Sequence, residues 1–191
     1  MFGRINFVML LLINIILNAA IGQTSRYQIK YDYGLEAGVY DFTGGYYQDD
    51  YKNGFILGAQ ATLWPLTYWG LQLGSQYFSA QSRNGRMSMI PVTFSILLHI
   101  YNPKLARIIK PYMGAGLGRY NLREKLSLSG EKINYTVNGA HAMLGIFIGR
   151  SAGRGFVFQA KYSYVPFDHP LDVDYKKTNL NSFSFTGGYR F

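Results

Sequence analysis

Tyr68-Trp69-Gly70-Leu71-Gln72-Leu73-Gly74-Ser75-Gln76-Tyr77-Phe78 sorts its residues by parity. Trp69, Leu71, Leu73, Ser75 and Tyr77 fall on one side of an extended chain, and Gly70, Gln72, Gly74 and Gln76 on the other. Successive side chains of a strand point to opposite faces, so a period of two predicts a strand with one apolar and one polar face. The polar face carries amides and glycines rather than the charges of a water-facing surface. That combination suggests an inside-out strand, apolar towards lipid and polar towards an interior.

The same alternation recurs in Tyr31–Tyr40, Gly54–Trp64, Met89–Ile100, Lys110–Gly118, Gly139–Gly149, Gly155–Val165 and Ser182–Phe191. The apolar rows of these eight segments hold no charged residue, as expected of a surface where a midplane cation costs about 2–4 kcal/mol. The opposite rows hold Asp32, Glu36, Lys161 and Arg190, the amides Gln60, Gln72, Gln76 and Gln159, and many glycines. A soluble barrel or sandwich would reverse this, with its charges outside. Each segment is long enough to cross a bilayer at a tilt, which takes about 9–11 residues. The pattern predicts an all-β fold, an eight-stranded antiparallel up-and-down transmembrane β-barrel.

Composition agrees. The chain has 191 residues, 22 Gly, 17 Tyr, no Cys and only 15% charged residues. Zero Cys excludes disulfide scaffolds, thiolate metal sites and thiol catalysis. The low charge content is foreign to a soluble enzyme, which carries about 25%, but suits a lipid-facing wall.

The first residues read as an export signal. Arg4 precedes an apolar stretch, Phe7–Leu17, and Ala20-Ile21-Gly22 offers small residues for cleavage before Gln23. The stretch is too short to span a bilayer as a helix. Residues 1–22 are expected to be a signal peptide and 23–191 an outer-membrane barrel domain. An even strand number puts both chain ends on the periplasmic side. Trp64–Tyr68, Tyr101–Ile109 and Arg150–Gly155 then become periplasmic turns. Asp41–Asn53, Ser79–Arg86, Tyr120–Asn138 and Pro166–Asn181 become external loops.

Ile90-Pro91-Val92, Lys110-Pro111-Tyr112-Met113-Gly114-Ala115-Gly116-Leu117-Gly118 and the ending Gly188-Tyr189-Arg190-Phe191 resemble the outer-membrane β-barrel domain family. These are small eight-stranded barrels of Gram-negative bacteria, similar in architecture to OmpX, OmpW and the OmpA barrel. The resemblance implies location in the cell outer membrane. It also implies that Phe191 and Tyr189 form the signal read by the barrel-insertion machinery. It implies no particular activity.

Eight strands enclose a space that side chains can fill. Trp64, Tyr112, Tyr120, His141, Met143 and Phe147 have inward parity, so a plugged lumen is expected. Buried charges should pair. The expected pairs are Asp32 with Arg190 near the periplasmic end, and Glu36 with Lys161 nearer mid-height, where a gate is a sharper alternative to simple satisfaction of polarity.

Beyond Leu117 the faces exchange polarity without losing register. Arg119, Asn121, Arg123, Lys125 and Ser127 become outward, and Tyr120, Leu122, Leu126 and Leu128 inward. The returning arm puts Ile133, Tyr135 and Val137 inward. This predicts a protruding hairpin from about Leu117 to Gly139, turning at Ser129-Gly130, with its apolar face over the mouth of the barrel. Arg119, Arg123 and Lys125 lie where lipopolysaccharide phosphates lie and are candidate contacts for them. The raised hairpin is alternatively a surface for a protein partner adding a strand.

No catalytic set emerges among His99, His141 and His169; His141 lacks the nearby Ser that a His–Ser hydrolase arrangement would suggest, and no Ser follows His169 before Ser182. Asp168, Asp172 and Asp174 lack the Gly and closing Glu of an EF-hand loop. No enzyme activity, cofactor or metal is expected. The function classes left are a structural or surface-interaction barrel acting through its external loops, an accessory subunit of a larger secretion or uptake complex, and OmpW-like passage of small hydrophobic molecules. The expected partners are outer-membrane lipid, lipopolysaccharide and the insertion machinery. Nucleic acid is not among them: without Arg4 the net charge of +9 becomes +8, and seven cations, Arg26, Lys30, Lys104, Arg107, Lys110, Arg150 and Arg154, form a basic ring at the periplasmic end.

Overall fold

The computed structural model describes residues 30–43, 51, 53–66, 68–82, 85–100, 108–126, 132–151, 154–166 and 179–191. The export segment, His169 and the fourth-loop aspartates lie outside the described residues, as does the hairpin turn at Ser129-Gly130. The strands are β1 (Lys30–Phe42), β2 (Gly54–Trp64), β3 (Trp69–Gln81), β4 (Gly85–His99), β5 (Ile109–Leu126), β6 (Lys132–Ser151), β7 (Arg154–Tyr164) and β8 (Ser182–Arg190). Each pairs antiparallel with the next, and β1 pairs with β8 to close the barrel. Phe191 N–H donates to Tyr33 O at 2.9 Å, which fastens the last residue to the seam.

Parity decides burial as the alternation predicts. In β1 the outward Tyr31, Tyr33, Leu35 and Val39 are exposed, whereas Asp32 and Glu36 are buried. The outward rows of the other strands expose Leu57, Leu73, Phe94, Leu117, Leu144, Phe158 and Phe185 in the same way. An exposed apolar belt around the whole circumference is stable only in lipid.

One sequence expectation needs correction. Ser79–Arg86 is not a loop. β3 continues to Gln81 and β4 begins at Gly85, with Ser79 paired to Ser88 and Gln81 to Arg86. Ser82 N–H donates to Gly85 O at 2.9 Å and joins the ends of the two strands. Tyr120–Asn138 is likewise mostly strand, as the hairpin reading requires: β5 and β6 stay in register from Arg119–Asn138 to Lys125–Lys132. Beyond Leu117 this adds about 30 Å of strand, at roughly 3.4 Å per residue.

The glycines serve two purposes. A Cβ on Gly145 would stand 2.4 Å from the Tyr112 ring and one on Gly70 2.7 Å from the Trp64 ring, so these make room for lumen aromatics. At Gly38 the obstacle is backbone, with Phe185 O only 1.9 Å away, so this residue permits close strand approach.

Candidate functional site

The interior has three tiers. At the periplasmic end, Trp64 Nε1–H donates to Asp32 Oδ2 at 2.7 Å. His99 stacks on Trp64 with ring centroids 4.1 Å apart. The Arg190 guanidinium lies 5.4 Å from the Tyr112 ring centre and 5.9 Å from that of Phe147. The expected Asp32–Arg190 ion pair is therefore not formed. Asp32 bonds the indole instead, and Arg190 rests on two π faces, an arrangement that favours a cation. Its Nε and Nη2 have no hydrogen-bond partner among the described residues.

The middle tier is polar. Gln72 Nε2 donates to Gln60 Oε1 at 2.7 Å, and Tyr112 OH to Gln159 Oε1 at 2.9 Å. Glu36 and Lys161 do not form the direct pair expected. Gln76 stands between them: Lys161 Nζ donates to Gln76 Oε1, and Gln76 Nε2 donates to Glu36 Oε1. Thr186 Oγ1 holds the other carboxylate oxygen at 3.0 Å. Parity places both charges in the lumen but cannot show a third residue whose amide offers a donor to the acid and an acceptor to the base. In this ring of eight, β3 and β7 are on opposite walls. The Gln76–Lys161 bond therefore crosses the full width of the lumen.

The middle tier also corrects the reading of His141. Ser95 Oγ lies 2.8 Å from His141 Nε2, on strands two apart in the barrel. Sequence separation hid this contact; parity alone puts both residues inward. The pair lacks the third member of a hydrolytic set, since His141 Nδ1 has no hydrogen-bond partner among the described residues. Ser95 is 1% and His141 4% exposed, so neither is open to a substrate.

The external tier is apolar. Tyr40, Phe42, Ile56, Phe78, Met87, Met89, Tyr120 and Leu122 form one buried cluster, against which Tyr135 and Val137 of the returning arm pack. This agrees with the reading that the hairpin's apolar face covers the mouth. Tyr51, from the first loop, is buried and donates from its OH to Glu124 Oε1 at 2.6 Å. Glu124, which interrupts the apolar row of the hairpin, is thereby accommodated. On the opposite face Arg119, Arg123 and Lys125 are all exposed. At the barrel's other end Tyr189 and Phe191 project outward and are exposed. Of the basic ring, Lys30 and Arg154 are exposed and Lys110 lies 5.6 Å from the Phe147 ring centre.

The described residues contain no group of three His, Asp or Glu side chains able to hold a metal ion. No protein-family model matches the chain, and no curated protein does. Its likeness is to solved structures of small barrels. Neisserial surface protein A superposes with a TM-score of 0.69 at 13% identity, over 86% of this chain and 98% of that one. The outer membrane protein OprG of Pseudomonas aeruginosa gives 0.54 at 14% identity, over 86% and 97%. The N-terminal β-barrel domain of OprF from the same organism gives 0.50 at 13% identity, over 86% and 100%. At such low identity the shared property is the fold: the closed eight-stranded barrel of outer-membrane proteins.

Proposed function

We propose that this chain is a cell outer-membrane protein that acts through its external surface, as a structural or surface-interaction barrel, and not as a conduit or an enzyme. The observation that carries the reading is the Lys161–Gln76–Glu36 chain across the lumen. With the apolar cluster above it and Trp64, Tyr112, Phe147 and Arg190 below, it fills the bore at three heights. A path for ions would have to break a buried charged network. The part left to meet partners is the raised sheet of β3 to β6. In this reading the export signal delivers the chain, and Phe191 with Tyr189 directs its insertion.

The test is conductance of the purified full-length chain in planar bilayers. Stable bilayers carrying inserted protein without discrete current steps are expected. Persistent unitary conductance in the unmodified protein would refute the closed lumen. If instead only Lys161→Ala conducts, the network is a gate in a barrel that can open.

A further inference from the structure

The floor of the lumen holds a buried cation whose hydrogen-bonding edge is empty. Arg190 is only 2% exposed, and its Nε and Nη2 have no hydrogen-bond partner among the described residues. These two groups are adjacent on one side of the guanidinium. Their N–H bonds run parallel and make the side-on fork that takes both oxygens of one oxyanion. Tyr112 and Phe147 attract the charge from 5.4 and 5.9 Å, but a ring face does not fill that fork. Lys110 Nζ lies 5.6 Å from the centre of the same Phe147 ring, so two cations meet there. Their repulsion is poorly screened, because burial of Arg190 keeps water away from it.

The chain supplies no carboxylate for this fork. Of its 10 Asp and Glu residues, only Asp32 and Glu36 fall within the strands below their external ends. Asp32 accepts from the Trp64 indole, and Glu36 from Gln76 and Thr186. The Phe191 backbone oxygen accepts from Tyr33 N–H at the seam. Residues 23–29, 64–69, 101–107 and 150–154, which flank the lower ends of the strands, contain no acid. The counter-charge therefore comes from outside the chain. Lys110, the second residue of β5, is half-buried at the periplasmic rim, so the way in is from that side. The surroundings select the kind of anion. Tyr112 and Phe147 belong to an apolar cluster with Trp64, Leu97, Met143 and Val157. Stripping water from a dianion such as phosphate costs far more than from a monoanion. A carboxylate carries one charge and sets its two oxygens in the plane of the fork.

We infer that Arg190, with Lys110 at the rim, forms a receptor for a small monocarboxylate that enters from the periplasm. The Arg190 fork holds both carboxylate oxygens, and Lys110 attracts the anion at the entrance. The inference rests on the outer-membrane reading above but not on the closed lumen. A conducting barrel would leave the fork in place, and an empty fork would leave the lumen closed, so the two fail separately.

The experiment titrates detergent-purified, full-length protein with acetate, inorganic phosphate and chloride at matched ionic strength. Nitrogen-15 NMR follows the Arg190 Nε–H resonance, assigned by its loss in Arg190→Lys. Trp64 emission, in a Trp69→Phe background, follows binding to the variants. Folding of every variant is checked by its heat-dependent shift in gel mobility. Acetate should shift the Arg190 resonance saturably, with phosphate and chloride at least about tenfold weaker. Arg190→Lys keeps the charge but not the fork and should lose about tenfold in acetate affinity. Lys110→Gln should lose about two- to fivefold, and less at high salt. Lys132→Ala, at the other end of the barrel, should bind as the unmodified protein does. Should Arg190→Lys fail to fold, the resonance is assigned by selective labelling, and the unmodified protein and Lys110→Gln decide. No saturable shift in the unmodified protein, or unchanged affinity in the Arg190 and Lys110 variants, would overturn the site. Phosphate or chloride bound as tightly as acetate would overturn the carboxylate as its ligand.

Discussion

Replacing Lys161 with Met keeps most of the buried stem and deletes the charge. Lys161 is 4% and Glu36 5% exposed, so water cannot take over from a lost partner. One intervening amide sets the two charges roughly 7 Å apart, and at an effective dielectric near 20 their attraction is about 2–3 kcal/mol. Gln76 Oε1 also loses the donor it accepts from, a further cost of about 1–2 kcal/mol. Lys161→Met should therefore destabilise the barrel by about 3–5 kcal/mol, in the range for removing one partner of a buried pair. Adding Glu36→Gln removes the stranded carboxylate. The new amide can still accept from Gln76 through its oxygen and donate from its nitrogen to the Thr186 hydroxyl, so the double variant should recover to within about 1–2 kcal/mol of the unmodified protein. Urea unfolding from lipid vesicles, followed through Trp64 in the lumen and Trp69 on the wall, measures each corner of the cycle. A single-variant cost below about 1 kcal/mol, or a double variant as unstable as the sum of the singles, would show that Gln76 does not couple the two charges.

Two further outcomes follow from the packing. Gly38→Ala would press a methyl against Phe185 O and should cost about 2–3 kcal/mol by the same urea assay; Gly187→Ala meets only the Phe158 ring at 3.5 Å and should stay within about 0.5 kcal/mol. A fluorophosphonate probe should leave Ser95 unlabelled in the folded chain, because the hydroxyl is buried and His141 has no orienting acid; stoichiometric labelling read by mass spectrometry would reopen the question of hydrolysis.

Much of the fold was legible because a barrel wall obeys a period of two and little else. The odd positions from Tyr31 to Val39 in β1 and from Phe183 to Tyr189 in β8 could be assigned to the lipid face by parity alone. The polarity exchange beyond Leu117 was also legible. The equivalent exchange in β3 and β4 was not: Ser79-Ala80-Gln81-Ser82-Arg83-Asn84-Gly85-Arg86 has the composition of a loop. Its inward Ala80, and the flanking inward residues Phe78, Met87 and Met89, are buried all the same. The lumen contacts were the least legible. Parity says that Asp32, Arg190, Glu36 and Lys161 point inward, but the partner of each depends on reach across the bore. An indole, two aromatic faces and an amide from the opposite wall won over the ion pairs that charge counting suggests. Ser95 and His141 meet for the same reason, though 46 residues apart.

The barrel is two kinds of protein stacked in one sheet. Up to about Ile90, Leu117 and Ala140 the outside is apolar, as lipid requires, and the inside is polar at mid-height over an aromatic floor. Above that level the outside carries Arg86, Arg123 and Lys132, while the inside holds Phe42, Phe78, Met87 and Leu122. That upper part is stabilised as a soluble domain is, by apolar burial worth roughly 1.5–3 kcal/mol for each large side chain. The Tyr51–Glu124 bond ties the first loop to the same core. A flexible loop could present the same cations, but it would lose conformational entropy on meeting a ligand. Strands that share a core have already lost it. The internal apolar cluster therefore does more than close the mouth: it holds the basic face in register above the lipid.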